Sequence, residues 1–194
     1  MYKIITTIAI TLLSIGSFAQ DNESKERNSP YRFTTEPAIG THLSTTMGGA
    51  MDIQLSNLLQ YNISKRIGLI SHTAISQFFP IGRMADVKQN YSYSIIQKFG
   101  IGTSIYTKHN MHTLSFLAGL RYNAYSGTLI NDQLPEHITT TTESTTSDYG
   151  IMYNWKKIRN KYFLSFRVYV PLKDGLAGIT ENAVIELGVG IKLQ

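Results

Sequence analysis

The sequence predicts an all-β protein: an eight-stranded antiparallel up-and-down transmembrane β-barrel. Three observations predict it. The chain closes on a run, Ala183-Val184-Ile185-Glu186-Leu187-Gly188-Val189-Gly190-Ile191-Lys192-Leu193, in which every odd position is apolar and the even ones, Val184 aside, carry Glu, Gly, Gly and Lys. Period two gives one apolar face and one small or polar face, as a β-strand does. The same alternation recurs in earlier segments, separated by turns that are alternately short and long. The opposite end of the chain has the composition of an export signal.

At that end Lys3 supplies the positive region, Ile4 to Leu13 is apolar except for Thr, and Ser17-Phe18-Ala19 puts small residues before a cut at Gln20. The apolar stretch is short for a spanning helix, which needs about 20 residues. Residues 1–19 are expected to be a signal peptide, 20–36 a polar, loosely ordered leader containing Pro30, and 37–194 the barrel domain. The chain has no Cys, so disulfides, thiolate catalysis and Cys-ligated metals are excluded. The net charge of +5 is modest, charged residues are only 16% of the chain, and no basic cluster carries interleaved aromatics. Nucleic acid is not an expected partner.

Strand one is faint, hinted at by Ile39, Thr41 and Leu43, and Thr46-Met47-Gly48-Gly49 turns the chain. In strand two Met51, Ile53, Leu55, Leu59, Tyr61 and Ile63 oppose Asp52, Gln54, Ser56, Gln60 and Asn62, with Asn57 and Leu58 as exceptions. A turn at Ser64-Lys65 leads to strand three, Arg66 to Phe79, where Ile67, Leu69, Ile75 and Phe79 share a parity. Residues 80–90 read as a loop. Strand four, Tyr91 to Tyr106, sets Tyr91, Tyr93, Ile95, Phe99, Ile101 and Ile105 against Ser92, Ser94, Lys98, Gly100, Gly102 and Ser104.

After a turn at 107–110, strand five sets Leu114, Phe116, Ala118, Leu120, Tyr122 and Ala124 against Thr113, Ser115, Gly119, Arg121 and Asn123. Residues 126–147 read as the longest connection, although Thr-rich 137–146 has the propensity to extend the next strand. Strand six places Tyr149, Ile151, Tyr153 and Trp155 opposite Asp148, Gly150, Met152, Asn154 and Lys156. After a turn at 157–160, strand seven places Tyr162, Leu164, Phe166, Val168 and Val170 opposite Ser165, Arg167 and Tyr169, and Pro171 closes it. Residues 172–180 form the last loop.

Short turns near 64, 108 and 158 fall at one end of a meander and the longer loops at the other, with both chain ends on the short-turn side. Outer-membrane barrels share this asymmetry. The apolar parity then faces lipid, with Tyr61, Phe79, Tyr91, Tyr93, Trp155 and Tyr162 near strand ends as aromatic girdles. The polar parity is the lumen, and its expected polar network comprises Asp52, Lys98, Arg121, Asp148, Arg167, Glu186 and Lys192. Eight strands leave room only for side chains, so these charges must pair and a wide water channel is not expected. A soluble exported barrel or sandwich, its apolar parity turned inward, is the competing fold.

The segments GAMDIQLSNLLQYNISKRIGL, IIQKFGIGTSIYTKHNMHTLSFLAGLRYN and NAVIELGVGIKLQ resemble, in pattern and layout, the small eight-stranded outer-membrane β-barrel proteins of Gram-negative bacteria, especially the Bacteroidota. The resemblance covers the whole mature chain and rests on no signature motif. It implies residence in the outer membrane, contact with its lipid, and in many members no assigned activity. The chain departs from many proteobacterial barrels in ending Leu193-Gln194 rather than Phe.

Some small barrels of this kind modify lipids, which requires a catalytic set. His72 and Ser76 share the lumen parity of strand three, but no acidic residue is placed by sequence to orient the imidazole. His109 and His112 flank a turn without a third metal ligand. Asp132, Glu136 and Glu143 read as a solvated loop. Gly100-Ile101-Gly102 and Gly188-Val189-Gly190 lie inside strands and bind no dinucleotide. The expectation is a monomeric barrel with a structural or surface-interaction role. No catalysis, cofactor or metal is expected, and any extracellular ligand or protein would meet the long-loop end. A lipid-modifying enzyme and a small-ligand carrier are the alternatives.

Overall fold

The structure, a computed structural model, describes residues 32–43, 50–80, 87–129, 138–158, 161–172 and 183–193. The proposed signal, its cut before Gln20, most of the leader, and Asp132 and Glu136 lie outside the described residues. Eight strands follow one another: β1 (Phe33–Leu43), β2 (Ala50–Asn62), β3 (Ile67–Pro80), β4 (Val87–Tyr106), β5 (Asn110–Leu129), β6 (Ile138–Lys157), β7 (Tyr162–Pro171) and β8 (Ala183–Leu193). Each pairs antiparallel with its chain neighbours, and β8 pairs back on β1 to close the ring.

The short turns lie together. At 63–66 the Ser64 hydroxyl accepts from the Arg66 and Ile67 amides. At 107–110 the Thr107 hydroxyl accepts from the Asn110 amide. Phe33 and Leu193, at the outer limits of β1 and β8, pair at this same end.

Side chains follow the predicted alternation, and the direction of burial identifies the faces. Leu55, Ile105 and Leu187 are 63%, 68% and 62% exposed, whereas Lys156 and Arg167 are completely buried. The apolar parity therefore faces outward and the charged parity fills the interior. That is the reverse of a water-soluble barrel, whose apolar side chains are enclosed. Leu58, the exception in β2, points inward to join Ile70, Leu117, Met152, Tyr169 and Val184 in an apolar layer inside the lumen. The lumen has no room to spare near Lys98. A Cβ added at Gly119 would lie 1.9 Å from the Gln97 carbonyl oxygen and 2.7 Å from the Cα of Lys98.

Three sequence expectations need correction. β1 opens at Phe33, inside the span read as leader, and buries Thr34 and Glu36. Pro37 makes this start faint in the sequence, because proline cannot donate to a ladder and is unexpected inside a strand paired on both sides. Pro37 does leave a mark: the β1–β8 register runs through Thr35 and resumes at Ala38.

Second, parts of the spans 80–90 and 126–147 are strand, namely residues 80, 87–90, 126–129 and 138–147, while 81–86 and 130–137 lie outside the described residues. β4 starts at Val87, β5 runs to Leu129 and β6 starts at Ile138, so the Thr-rich segment does extend β6. β4, β5 and β6 each have 20 residues, against 10 to 14 for the other five.

Third, the outward parity is not uniformly apolar. Thr35, Asn57, Ser71, Thr73 and Gln97 interrupt it on four adjacent strands.

Candidate functional site

The lumen carries a ladder of ion pairs. Near the short-turn end the Lys156 ammonium meets the Glu36 carboxylate, both completely buried. Lys156 also donates to Gln60 Oε1 at 2.7 Å, and Asn154 Nδ2 donates to Glu36 Oε2 at 2.9 Å. At mid-barrel Glu186 lies 2.9 Å from Arg167 Nε and 3.1 Å from His72 Nε2. Gln54 Nε2 donates to the same carboxylate at 2.6 Å. Towards the long-loop end Asp148 is shared by Lys98, at 3.2 Å, and Arg121, at 3.0 Å. The Tyr169 hydroxyl donates to Asp148 at 2.5 Å, and the Lys98 ammonium lies 3.2 Å from the Tyr169 ring centroid. Asp52 bonds the His42 imidazole, whose Nε2 lies 3.3 Å from Arg121.

Three carboxylates, Glu36, Asp148 and Glu186, thus face the basic side chains of Lys98, Arg121, Lys156 and Arg167, and a fourth, Asp52, pairs with His42. The balance is what burial demands, since an uncompensated charge in a low-dielectric interior costs several kcal/mol. Of the seven predicted network residues, six belong to this ladder. Lys192 sits apart at the short-turn end, where its ammonium donates to the Ile158 carbonyl at 3.0 Å. Sequence reasoning missed Glu36, His42 and Lys156 as network members. Lys156 was legible, because it shares the polar parity of β6 with Asp148. Glu36 and His42 were hidden by the faint alternation of β1.

The candidate catalytic groups do other things. His72 does meet an acid, Glu186, brought from β8 by barrel closure and invisible to local spacing. No hydrogen bond joins it to Ser76, which lies four residues up the strand, about 13 Å at ~3.4 Å per residue; the pair does not form a nucleophile and base. His112 Nδ1 bonds the Tyr153 hydroxyl at 2.7 Å on the outer wall, and His109 lends its carbonyl to the Ile158 amide at 2.9 Å.

Beyond the rim, β4, β5 and β6 continue as a three-stranded lip. Ser126 to Leu129 of β5 pair with Ile138 to Thr141 of β6. A bulge between Gln89 and Tyr91 turns Asn90 onto the sheet face, where it donates to Thr128 Oγ1 at 2.9 Å. Thr128 and Thr139 bond across the strands at 3.0 Å. The outward parity of β6 changes from Trp155, Tyr153, Ile151 and Tyr149 to Ser147, Thr145, Glu143, Thr141 and Thr139 as it enters the lip. Here the Tyr122 phenol donates to the Glu143 carboxylate. β7 pairs with β6 only from Gly150 onward, with the Leu172 amide reaching the Tyr149 carbonyl at 2.9 Å. From Ile138 to Asp148 the far edge of β6 pairs with no strand among the described residues.

The class defined by these features is an all-β domain of eight antiparallel strands closed into a ring, with an ionic interior and an apolar exterior. No family model matches the chain, and no curated protein matches it. Solved structures of similar shape include the N-terminal β-barrel domain of Pseudomonas aeruginosa OprF, at 12% identity and a TM-score of 0.44, covering 83% of this chain and 97% of that one. The attachment invasion locus protein Ail of Yersinia pestis is similar in its crystal structure, at 10% identity and TM-score 0.47, over 82% and 95% of the two chains. The outer membrane protein Ail in a phospholipid bilayer nanodisc gives 8% identity and TM-score 0.45, over 84% and 99%.

Proposed function

We propose that this chain is an outer-membrane β-barrel that does its work as a surface-interaction protein rather than as an enzyme or a pore. The observation that carries the membrane reading is the inverted burial. Large aliphatic and aromatic side chains cover the outside of the ring while its charges are enclosed. Water would penalise such a surface, since soluble proteins rarely expose apolar patches above a few hundred Å². A bilayer stabilises it. On β5 the outward series from Leu114 to Tyr122 spans eight residue steps. That is about 27 Å along the strand at ~3.4 Å per residue and about 20 Å once tilted by ~40°, near the ~25 Å apolar band of such barrels.

The interior supports neither transport nor hydrolysis. Paired ions and the apolar layer around Leu58 and Leu117 fill the lumen, and the His72 and Ser76 pair does not assemble. The lip supports an interaction role. Its β6 edge, which pairs with no strand among the described residues, reads ITTTTESTTSD, rich in β-propensity, free of proline, and without the lysines or bulges that normally blunt an edge. An extended polypeptide can add to such an edge through main-chain hydrogen bonds.

Cell fractionation tests the membrane reading. The protein should sediment with outer membranes, resist carbonate washing, dissolve in detergent and migrate faster on a gel before boiling than after. Recovery as a soluble protein refutes it. For the lip, Thr140→Lys with Ser144→Lys should abolish capture of a short synthetic peptide of alternating Thr and Val while leaving the heat-dependent migration unchanged. Equal capture by wild type and variant removes the edge from the proposal.

A further inference from the structure

The two ends of the ring differ in charge. The short turns 63–66, 107–109 and 157–161 carry Lys65, Arg66, Lys108, Lys157, Arg159 and Lys161 and no acidic residue. The connections between the opposite strand ends, 44–49, 81–86, 130–137 and 173–182, carry five acidic residues and two basic ones. Arg32, just before β1, adds a further cation to the short-turn end. The preceding segment 20–31 has three acidic and two basic residues, too small an opposing charge to offset the excess.

Backbone hydrogen bonds fix these basic residues around the whole rim. The Arg32 carbonyl accepts from the Asn62 amide at 2.8 Å, joining β1 to β2, and the Arg66 carbonyl accepts from Ser104 at 2.7 Å, joining β3 to β4. The His109 carbonyl accepts from Ile158 at 2.9 Å, which ties the turn of Lys108 to the turn of Lys157. The Lys161 carbonyl accepts from Lys192 at 3.0 Å, joining β7 to β8. Every quarter of the rim therefore holds at least one cation. Arg32, Lys65, Arg66, Lys108, Lys157 and Lys161 are exposed, and none of them belongs to an ion pair among the described residues. The carboxylate of Glu36, near the same end, is enclosed with Lys156 inside the lumen.

The cations border the apolar outer wall. Ile67 follows Arg66, Tyr162 follows Lys161, Trp155 stands two residues before Lys157 and Ile105 three before Lys108. Ile67, Ile105 and Tyr162 are 48%, 68% and 62% exposed. Long basic side chains in such a place lay their stems on apolar surface and hold their charges at its polar margin.

Resting on the membrane reading above, we infer that this rim binds the phosphate headgroups of anionic phospholipid in the leaflet that surrounds the short turns. An anionic leaflet attracts Lys and Arg within a screening length of ~8–10 Å. Lipid surrounds a barrel on every side, and the cations occur on every side; a protein docked against one flank would need only one flank to be basic. The same leaflet repels the acid-rich connections of the opposite end, so the interaction also distinguishes the two orientations of the barrel.

The test uses the full mature chain inserted into vesicles of phosphatidylcholine and phosphatidylglycerol with identical acyl chains, bromine being carried by one lipid or by the other. Trp155 is the sole Trp of the chain, and bromine quenches its fluorescence on contact, so it reports which lipid lies beside the rim. At ~0.01 M salt the rim should prefer phosphatidylglycerol by about threefold or more, falling towards no preference at ~1 M, where the screening length is ~3 Å. Replacing Lys65, Arg66, Lys108, Lys157 and Lys161 by Gln should remove the preference at low salt. Lys88→Gln, an exposed cation on the lip at the other end, should leave it intact, which separates the rim from net charge. All three proteins should show the heat-dependent gel shift, and the salt series on wild type stands even if the multiple variant does not fold. Equal quenching by the two lipids in inserted, heat-shifting wild type overturns the inference. A preference that survives in the folded rim variant, or that high salt does not weaken, overturns it too. Failure of the wild type to enter vesicles would instead defeat the membrane reading on which the inference rests.

Discussion

Strand β6 behaves as two different objects along its length. From Gly150 to Lys157 it is paired on both sides, packs Met152, Asn154 and Lys156 into the lumen, and shows Ile151, Tyr153 and Trp155 to the exterior. From Ile138 to Ser147 it pairs, among the described residues, on one side only, and nearly every residue is exposed on either face. The backbone geometry is the same. The difference lies in what each face meets. In the wall, alternation sorts residues between a filled interior and an apolar exterior. In the lip both faces are wet, so sorting gives nothing and Thr serves for β-propensity alone. Stability therefore concentrates in the wall, and the lip is held by its ladder to β5 and by hydroxyl contacts across the sheet.

The largest effect that would break this contrast comes from the buried ions. Lys156→Met leaves the Glu36 carboxylate enclosed without a cation and should cost about 3–5 kcal/mol, read from urea unfolding in phospholipid vesicles. Adding Glu36→Gln should restore most of the loss, since the neutral pair no longer demands compensation. An unaltered midpoint for the single variant would mean that water reaches this layer.

On the outer wall, Leu187→Arg should cost roughly 2–4 kcal/mol if its position is near the bilayer midplane. The same substitution at Thr145 in the lip should be nearly silent. Gly119→Ala should cost about 1–3 kcal/mol by crowding the Gln97 carbonyl; a neutral outcome would show that β4 and β5 can separate there.

The smallest effect sharpens the comparison most. Thr142→Ala should shift stability by no more than about 0.5 kcal/mol. Amide exchange should show a period of two over 138–147, where alternate N–H groups face β5 and the opposite edge, and uniform protection over 151–157. Uniform protection of both regions would show that the edge is covered.

How much was legible in the sequence follows the same division. Where one face is apolar and the other is not, period two places a side chain correctly. Leu187 outside and Arg167 inside were readable from parity alone. In the lip only the strand propensity of Thr hinted that β6 extends, because ITTTTESTTS has no apolar period, and two wet faces produce none. Contacts such as His72 with Glu186 depend on barrel closure over 114 residues of chain and leave no local trace. The outward strip of Ser71, Thr73 and Gln97 runs against the pattern that identified its own strands, so pattern reading could only pass over it.

The interruption of the β1–β8 register at Pro37 bears on how the ring is made. Seven of the eight pairings join chain neighbours and can zip up hairpin by hairpin. The eighth must bring Phe33 to Leu193, the most distant partners in the chain, and so carries the largest loop-closure entropy. Proline has no N–H to give at this seam. The backbone of Glu36 is instead held from two sides: its amide donates to Asn57 on the outer wall, and its carbonyl accepts from Arg167 in the lumen at 3.2 Å. Arg167 also holds Glu186 of β8. Across the closing seam the Arg167 side chain of β7 thus ties the Glu36 carbonyl of β1 to the Glu186 carboxylate of β8, so closure is held by charge matching as well as by the ladder.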